Sequence, residues 1–223
     1  MASATPEQAF ELGRLVVSGR VNWKSVDRDR LQTEVIGNPD QFASEFTKFL
    51  QNGGKMQMIV LPGNFPTWRT IKLGTGLRSA DNFREAIKQA GMKISGWGDD
   101  ILGKPAFMAS ISSTEVEADL VNVSVGELGF KDGATYRDIC ARAKELGLIP
   151  CPAEVGPQLR LQYADQPKGE WLLVAMEAIT DSRGRLSVFV VGHDDDGRWL
   201  YGLSGRADRF WRGCCRFPFL RRK

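Results

Sequence analysis

The sequence predicts an α+β protein in which a helix-rich N-terminal part packs on a mainly antiparallel C-terminal β-sheet. Three observations point that way. Helix start signals followed by apolar residues at helical spacing recur early in the chain. From Gln158 onward, β-type runs alternate with Asp-Gly and Pro/Gly turns. No internal repeat, low-complexity tract or clean linker divides the two halves, so residues 1–223 read as a single domain. Its possible subdivision is a helical segment 1–54, a mixed segment 55–149 and an antiparallel segment 150–223.

The elements follow in order. Thr5-Pro6-Glu7-Gln8 is a capping-box arrangement with proline at the first helical position, and Phe10 and Leu15 precede Gly19. A second helix is expected over Asp27–Ile36. Asn38-Pro39-Asp40-Gln41 repeats the start signal, and Phe42, Phe46, Phe49 and Leu50 give that helix an apolar face before Gly53-Gly54. Strands are expected at Lys55–Leu61 and Arg69–Leu73. Ser79 caps a helix with Ala80, Phe83, Ile87 and Ala90 inward, and a helical turn is expected around Trp97–Leu102. Glu115–Val125 reads as a strand and Thr135–Leu146 as an amphipathic helix ending at Gly147. The rest is expected as strands at Gln158–Tyr163, Trp171–Ile179, Leu186–Val191, Trp199–Leu203 and Arg216–Leu220. Asp181-Ser182-Arg183-Gly184 and Asp194-Asp195-Asp196-Gly197 supply turns among them.

Composition sets the frame for function. The chain is 42% hydrophobic and 26% charged, an ordinary balance for a globular protein. No apolar run reaches the roughly 20 residues of a membrane span, and the acidic start lacks the pattern of a signal peptide, so a cytoplasmic protein is expected. Four cysteines without CxxC spacing and a single histidine argue against a structural zinc site. Neither a metal nor a cofactor is expected. Leu73-Gly74-Thr75-Gly76-Leu77 lacks the residues of a phosphate-binding loop, and His193 has no nucleophile motif beside it.

Charge is unevenly spread. From Arg198 to the end stand eight basic residues and one acid, Asp208, among six large aromatics that include Trp199, Tyr201 and Trp211. Arg206, Arg209, Arg212 and Arg216 form a candidate basic surface, and the mixture suits weak nucleic-acid binding through phosphate contact and stacking. A terminal sheet with inward aromatics and outward arginines accounts for the same pattern.

The most distinctive segment is PCPAEVGPQLRLQYADQPKGEWLLVAMEAITD, from Pro150 to Asp181. As a strand, Gln158, Arg160 and Gln162 alternate with Leu159 and Leu161, and a hairpin across Ala164–Gly169 sets Gln162 opposite Trp171. Glu154 and Glu177 lie near its far end. A planar guanidinium between two amides suits a carboxylate, phosphate or base edge, with the indole as a stacking surface. Glu154, Gln158, Arg160, Gln162, Trp171 and Glu177 are therefore the candidate ligand- or partner-binding residues. An Arg–Glu network serving only the fold is the alternative.

CPAEVGPQLRLQY, DQPKGEWLLVAME, the stretch from Thr75 to Lys104 and the arginine-ending C-terminus together resemble a group of bacterial proteins met mostly in environmental genomes. The resemblance implies a bacterial, cytosolic setting and carries no activity with it. The leading functional expectation is a binding or accessory protein using the face around Arg160 and the basic C-terminal surface. Two others stand beside it. One is an enzyme acting on an acidic or phosphorylated substrate with Glu154, Arg160 and Glu177; the other is a toxin–antitoxin or defence component.

Overall fold

The computed structural model describes residues 39–51 and 65–221. The chain divides into two compact units, Met1–Ile59 and Val60–Lys223. The helices expected at 5–19 and 27–36 and the strand expected at 55–61 lie outside the described residues, as do Gly53-Gly54 and the last two residues. In the first unit, helix α1 (Pro39–Gln51) begins where Asn38-Pro39-Asp40 places it, with Asp40 in its first turn, where a carboxylate favours the helix dipole. Phe42 and Phe46, one turn apart, stack with ring centroids 5.6 Å apart.

The second unit is built on a nine-stranded mixed sheet. Its main path runs β1 (Arg69–Leu73), β3 (Val116–Ser124), β11 (Arg216–Arg221), β6 (Trp171–Leu173), β8 (Leu186–Asp194), β9 (Gly197–Ser204) and β2 (Lys93–Ile94). Two short strands complete it: β5 (Leu148–Ile149) pairs with β11, and β7 (Ile179–Thr180) with β8. A separate two-stranded sheet joins β10 (Phe210–Trp211) to β4 (Ala134–Thr135). The helices are α2 (Ala80–Gln89), α3 (Gly96–Leu102), α4 (Pro105–Met108), α5 (Tyr136–Glu145) and α6 (Val155–Gln162).

This arrangement corrects the expected fold class. The described helices are short and scattered between strands, so a helix-rich front stacked on an antiparallel rear does not form. The sheet is mixed, with β11–β6 and β2–β9 parallel. It also draws in the middle of the chain, since β3 lies between β1 and β11. The reason is burial. Phe217 and Phe219 of β11 are fully buried, and such a strand needs hydrogen-bonded neighbours on both edges. β3 supplies one edge, while β5 and β6 share the other.

Local signals behave as expected where they are strong. The Ser79 side chain accepts from Asn82 N–H and Thr135 from Asp138 N–H, capping α2 and α5. The β8–β9 hairpin closes through Asp195 and Asp196, with Gly197 at φ 120°, a backbone setting that a side chain disfavours. Edge-to-face contacts join Phe83 to Phe107 at 5.5 Å and Phe107 to Phe189 at 5.8 Å, tying α2 and α4 to β8. Tyr136, Phe217 and Trp211 form a second aromatic cluster. No helix among the described residues is long and apolar enough to cross a membrane.

Candidate functional site

The segment that carries the expected site is a helix. Residues 155–162 form α6, so the strand expected at Gln158–Tyr163 and its hairpin opposite Trp171 are corrected. Pro157 lies in the first turn, where its missing N–H costs no hydrogen bond. Gly156 is there because the helix presses on β8; a Cβ at that position would stand 2.7 Å from the Phe189 side chain. Every residue from Val155 to Arg160 is buried, so no solvent-facing stripe marks the helical period.

Helical geometry regroups the polar residues. Glu154, Gln158 and Gln162 stand one turn apart and run along the edge of β1 that no described strand pairs. The Gln162 amide takes the place of a neighbouring strand: Lys72 N–H donates to its Oε1 and its Nε2 donates to Lys72 O, both at 2.8 Å. Two residues further along the same edge, Gly74 N–H donates to Glu154 Oε1 at 2.7 Å. Ser112 N–H reaches the other carboxylate oxygen at 2.8 Å. Gln158 Nε2 links Glu154 Oε1 to Thr75 Oγ1, and Gln162 Nε2 also reaches Gln158 Oε1 at 3.1 Å. This ladder satisfies an edge that otherwise invites pairing with another chain. It also engages the Gly74 N–H of the glycine loop with a protein carboxylate.

Arg160 points elsewhere and is fully buried. It donates to Gln166 Oε1 at 2.5 Å, Gly192 O at 3.1 Å and Tyr163 O at 2.6 Å, three neutral oxygens. Gln166 continues the network to Glu170 O and Val191 O. The pair therefore fastens the 163–170 loop to β8, and in this conformation the guanidinium is closed to a partner. Burial, with Arg198 nearby, pulls its pKa down to about 10, still charged at neutral pH.

Glu154, Arg160 and Glu177 do not share a network. Glu177 is exposed and lines a cavity of about 550 Å³ with Ala106, Ser110, Pro150–Ala153, Ala178 and Ile179. Cys151 in that cavity wall donates to Pro218 O, and burial pushes its thiol pKa well above the ordinary range. The expected basic surface is partly neutralised. Arg206 pairs with Asp208 at 2.8 Å, and Arg216 bonds Asn122 O and lies 3.4 Å from Glu127. Arg209 lies over the Trp211 ring at 5.0 Å, and Arg212 is exposed.

Trp171, on the side of the sheet away from α6, is the candidate left open on the sheet itself. Trp171, Gly192 and Trp199 form one row across β6, β8 and β9; Leu173, Val190 and Tyr201 form the next. Alternation puts both rows on one face. The Trp171 ring occupies the space over Gly192, where a Cβ would meet it at 2.7 Å. Centroids stand 4.9 Å apart for Trp171–Tyr201 and 5.0 Å for Trp199–Tyr201, the latter pair inclined by 28°. Asp194 fixes the rings by accepting from Trp199 Nε1 and Tyr201 OH, both at 3.1 Å. Lys93 lies 5.0 Å over Trp199. A groove of about 500 Å³ continues the face past Leu173, Val190 and Leu203 to Trp211, Cys214 and Arg216.

The sequence reads Trp199 and Tyr201 only as aromatics interleaved with arginines. Their spacing of two on a strand after an Asp-Gly hairpin is the signal that puts both on one face. Among the described residues no group of three or more His, Cys, Asp or Glu could hold a metal ion. No family model matches the chain, and no curated protein or solved structure matches it either.

Proposed function

We propose that this chain is a binding protein whose ligand surface is the aromatic face of the sheet, and that the ligand is single-stranded nucleic acid. The observation that carries the proposal is the contiguous Trp171–Tyr201–Trp199 run, with Trp171 still 39% exposed on a glycine seat. Large aromatic rings held open on a rigid sheet offer unstacked bases a surface that needs no sequence code. Lys93, Arg209 and Arg216 stand around the rings and groove, where phosphates take cations. Because Arg206 and Arg216 already have acidic neighbours, the expected affinity is modest and falls with salt. A bacterial, cytosolic setting, drawn from the sequence resemblance, fits this reading.

The test is fluorescence titration with a short single-stranded oligonucleotide at low and at physiological ionic strength. Trp171 quenching with salt-sensitive affinity is expected, together with a loss of roughly tenfold in Trp171→Ala. No quenching at low salt overturns the proposal.

A further inference from the structure

On the opposite face of β8 and β9, His193 and Arg198 are cross-strand partners. The Arg198 side chain is half-buried and makes no hydrogen bond or ion pair to another described residue, and its Nε is enclosed without a partner. Such a guanidinium carries five donors in a fixed fork, and the one on the enclosed Nε is costly to leave unmatched. His193 Nδ1 lies 2.7 Å from Gln166 O. A carbonyl can only accept, so Nδ1 carries the proton there, and Nε2 with its lone pair is an acceptor for a donating hydroxyl. Behind them, Gln166 is held by the buried Arg160, whose three bonds all go to neutral oxygens. The Arg198 charge acts on Arg160, and no described carboxylate is bonded to either. Asp165, its pKa lowered first by its own backbone N–H and by Arg69, also feels the Arg198 charge, but is bonded to another cation. Asp165 is held by both oxygens to Arg69, and Asp195 pairs with Lys168 at 2.5 Å. Asp194 is bound to the aromatic rings. Glu170 lies toward Tyr163.

We infer that Arg198 and His193 form a site for a phosphate group, the Arg198 fork donating to its oxygens and His193 Nε2 accepting from its hydroxyl, with the buried Arg160 charge supplying the positive potential behind it. A tetrahedral oxyanion matches the free fork, and its charge compensates a cation to which no described carboxylate is bonded. The site lies on the other side of β9 from Trp199, so it does not depend on the aromatic face.

The experiment is a titration of the intact protein with inorganic phosphate, at ionic strength held constant with chloride, followed by heteronuclear NMR and by thermal unfolding. Saturable shifts centred on residues 166, 193 and 198 and a rise in Tm are expected. Arg198→Gln should weaken binding about tenfold or more, since it removes charged hydrogen bonds, and Arg198→Lys should fall between. Trp171→Ala should leave this titration unchanged, which separates the site from the oligonucleotide face. A nucleoside 5′-monophosphate arm separates the sources: equal affinity points to free phosphate, and tighter binding to a phosphate ester. The inference is overturned if phosphate gives no saturable shifts in the wild-type protein, or if Arg198→Gln titrates like it.

Discussion

The two faces of the central strands use polar and aromatic groups for opposite ends. On the α6 side, Glu154, Gln158, Gln162 and Arg160 are rich in hydrogen-bonding capacity, and most of it is consumed by backbone groups of β1, β8 and the neighbouring loops and by one another. On the other side, Trp171, Tyr201 and Trp199 touch chiefly one another, and Trp171 stays open. A group's chemistry therefore says little about its role until its partners are counted. Saturated groups hold the fold together, while unsaturated or exposed ones remain for a ligand.

That contrast can be broken by mutation. Arg160→Ala should have the largest effect, a loss on the order of 4 kcal/mol in urea unfolding, because it opens a cavity and strands three buried acceptors. A folded Arg160→Ala protein of near wild-type stability would remove the structural assignment of that network. Glu154→Ala should cost about 2–4 kcal/mol by leaving the Gly74 and Ser112 N–H groups unpaired. Glu154→Gln should recover only part of this, since one acceptor becomes a donor facing a donor. Gln162→Ala should cost about 1 kcal/mol and expose the β1 edge, with increased self-association in light scattering as its sharper readout. Trp171→Ala should change stability by less than about 1 kcal/mol while reducing oligonucleotide binding. If it unfolds the protein instead, the aromatic face belongs to the core.

The smallest effect is on acid stability. The Asp181 carboxyl is held below its usual range by backbone N–H donation from Arg185, opposed by burial and aided by the Arg183 N–H. Asp100 is lowered by hydrogen bonds from Lys104 and Ser182. Depressed folded values mean the unfolded chain takes up protons first. The stabilisation is complete above about pH 4 and disappears as the pH falls through the lower folded values. Thermal unfolding from pH 7 to pH 2 should show the decline only at the acid end; a decline already present between pH 7 and 5 has another cause.

Much of the chain's local structure is legible in its residues. Ser79, Thr135, Asn38-Pro39-Asp40 and Asp196-Gly197 each mark a boundary through backbone chemistry that acts within a few residues. β1, β3, β8, β9 and β11 likewise lie where their apolar runs put them. The expected strand Trp171–Ile179 is instead broken into β6 and β7, because residues 174–178 leave the regular ladder while still bonding Phe189 and Pro218. The five-to-eight-residue polar pattern around Arg160 was open to two periods. Gln158, Arg160 and Gln162 alternate as a strand would, while Glu154, Gln158 and Gln162 repeat as a helix would. Only burial on every side of α6, with Gly156 against Phe189, selects the helix.

By itself the sequence determined the caps, the turns, most of the strands and the prominence of the 150–181 segment, because these rest on interactions between near neighbours. The tertiary structure decided the mixed order of the sheet, the helical state of α6 and the division between the hydrogen-bonded α6 ladder and an open aromatic face. Each of those depends on which distant groups complete a hydrogen bond or cover a ring. Lys72 finding Gln162, and Gly192 leaving room for Trp171, are facts of packing that no local pattern encodes.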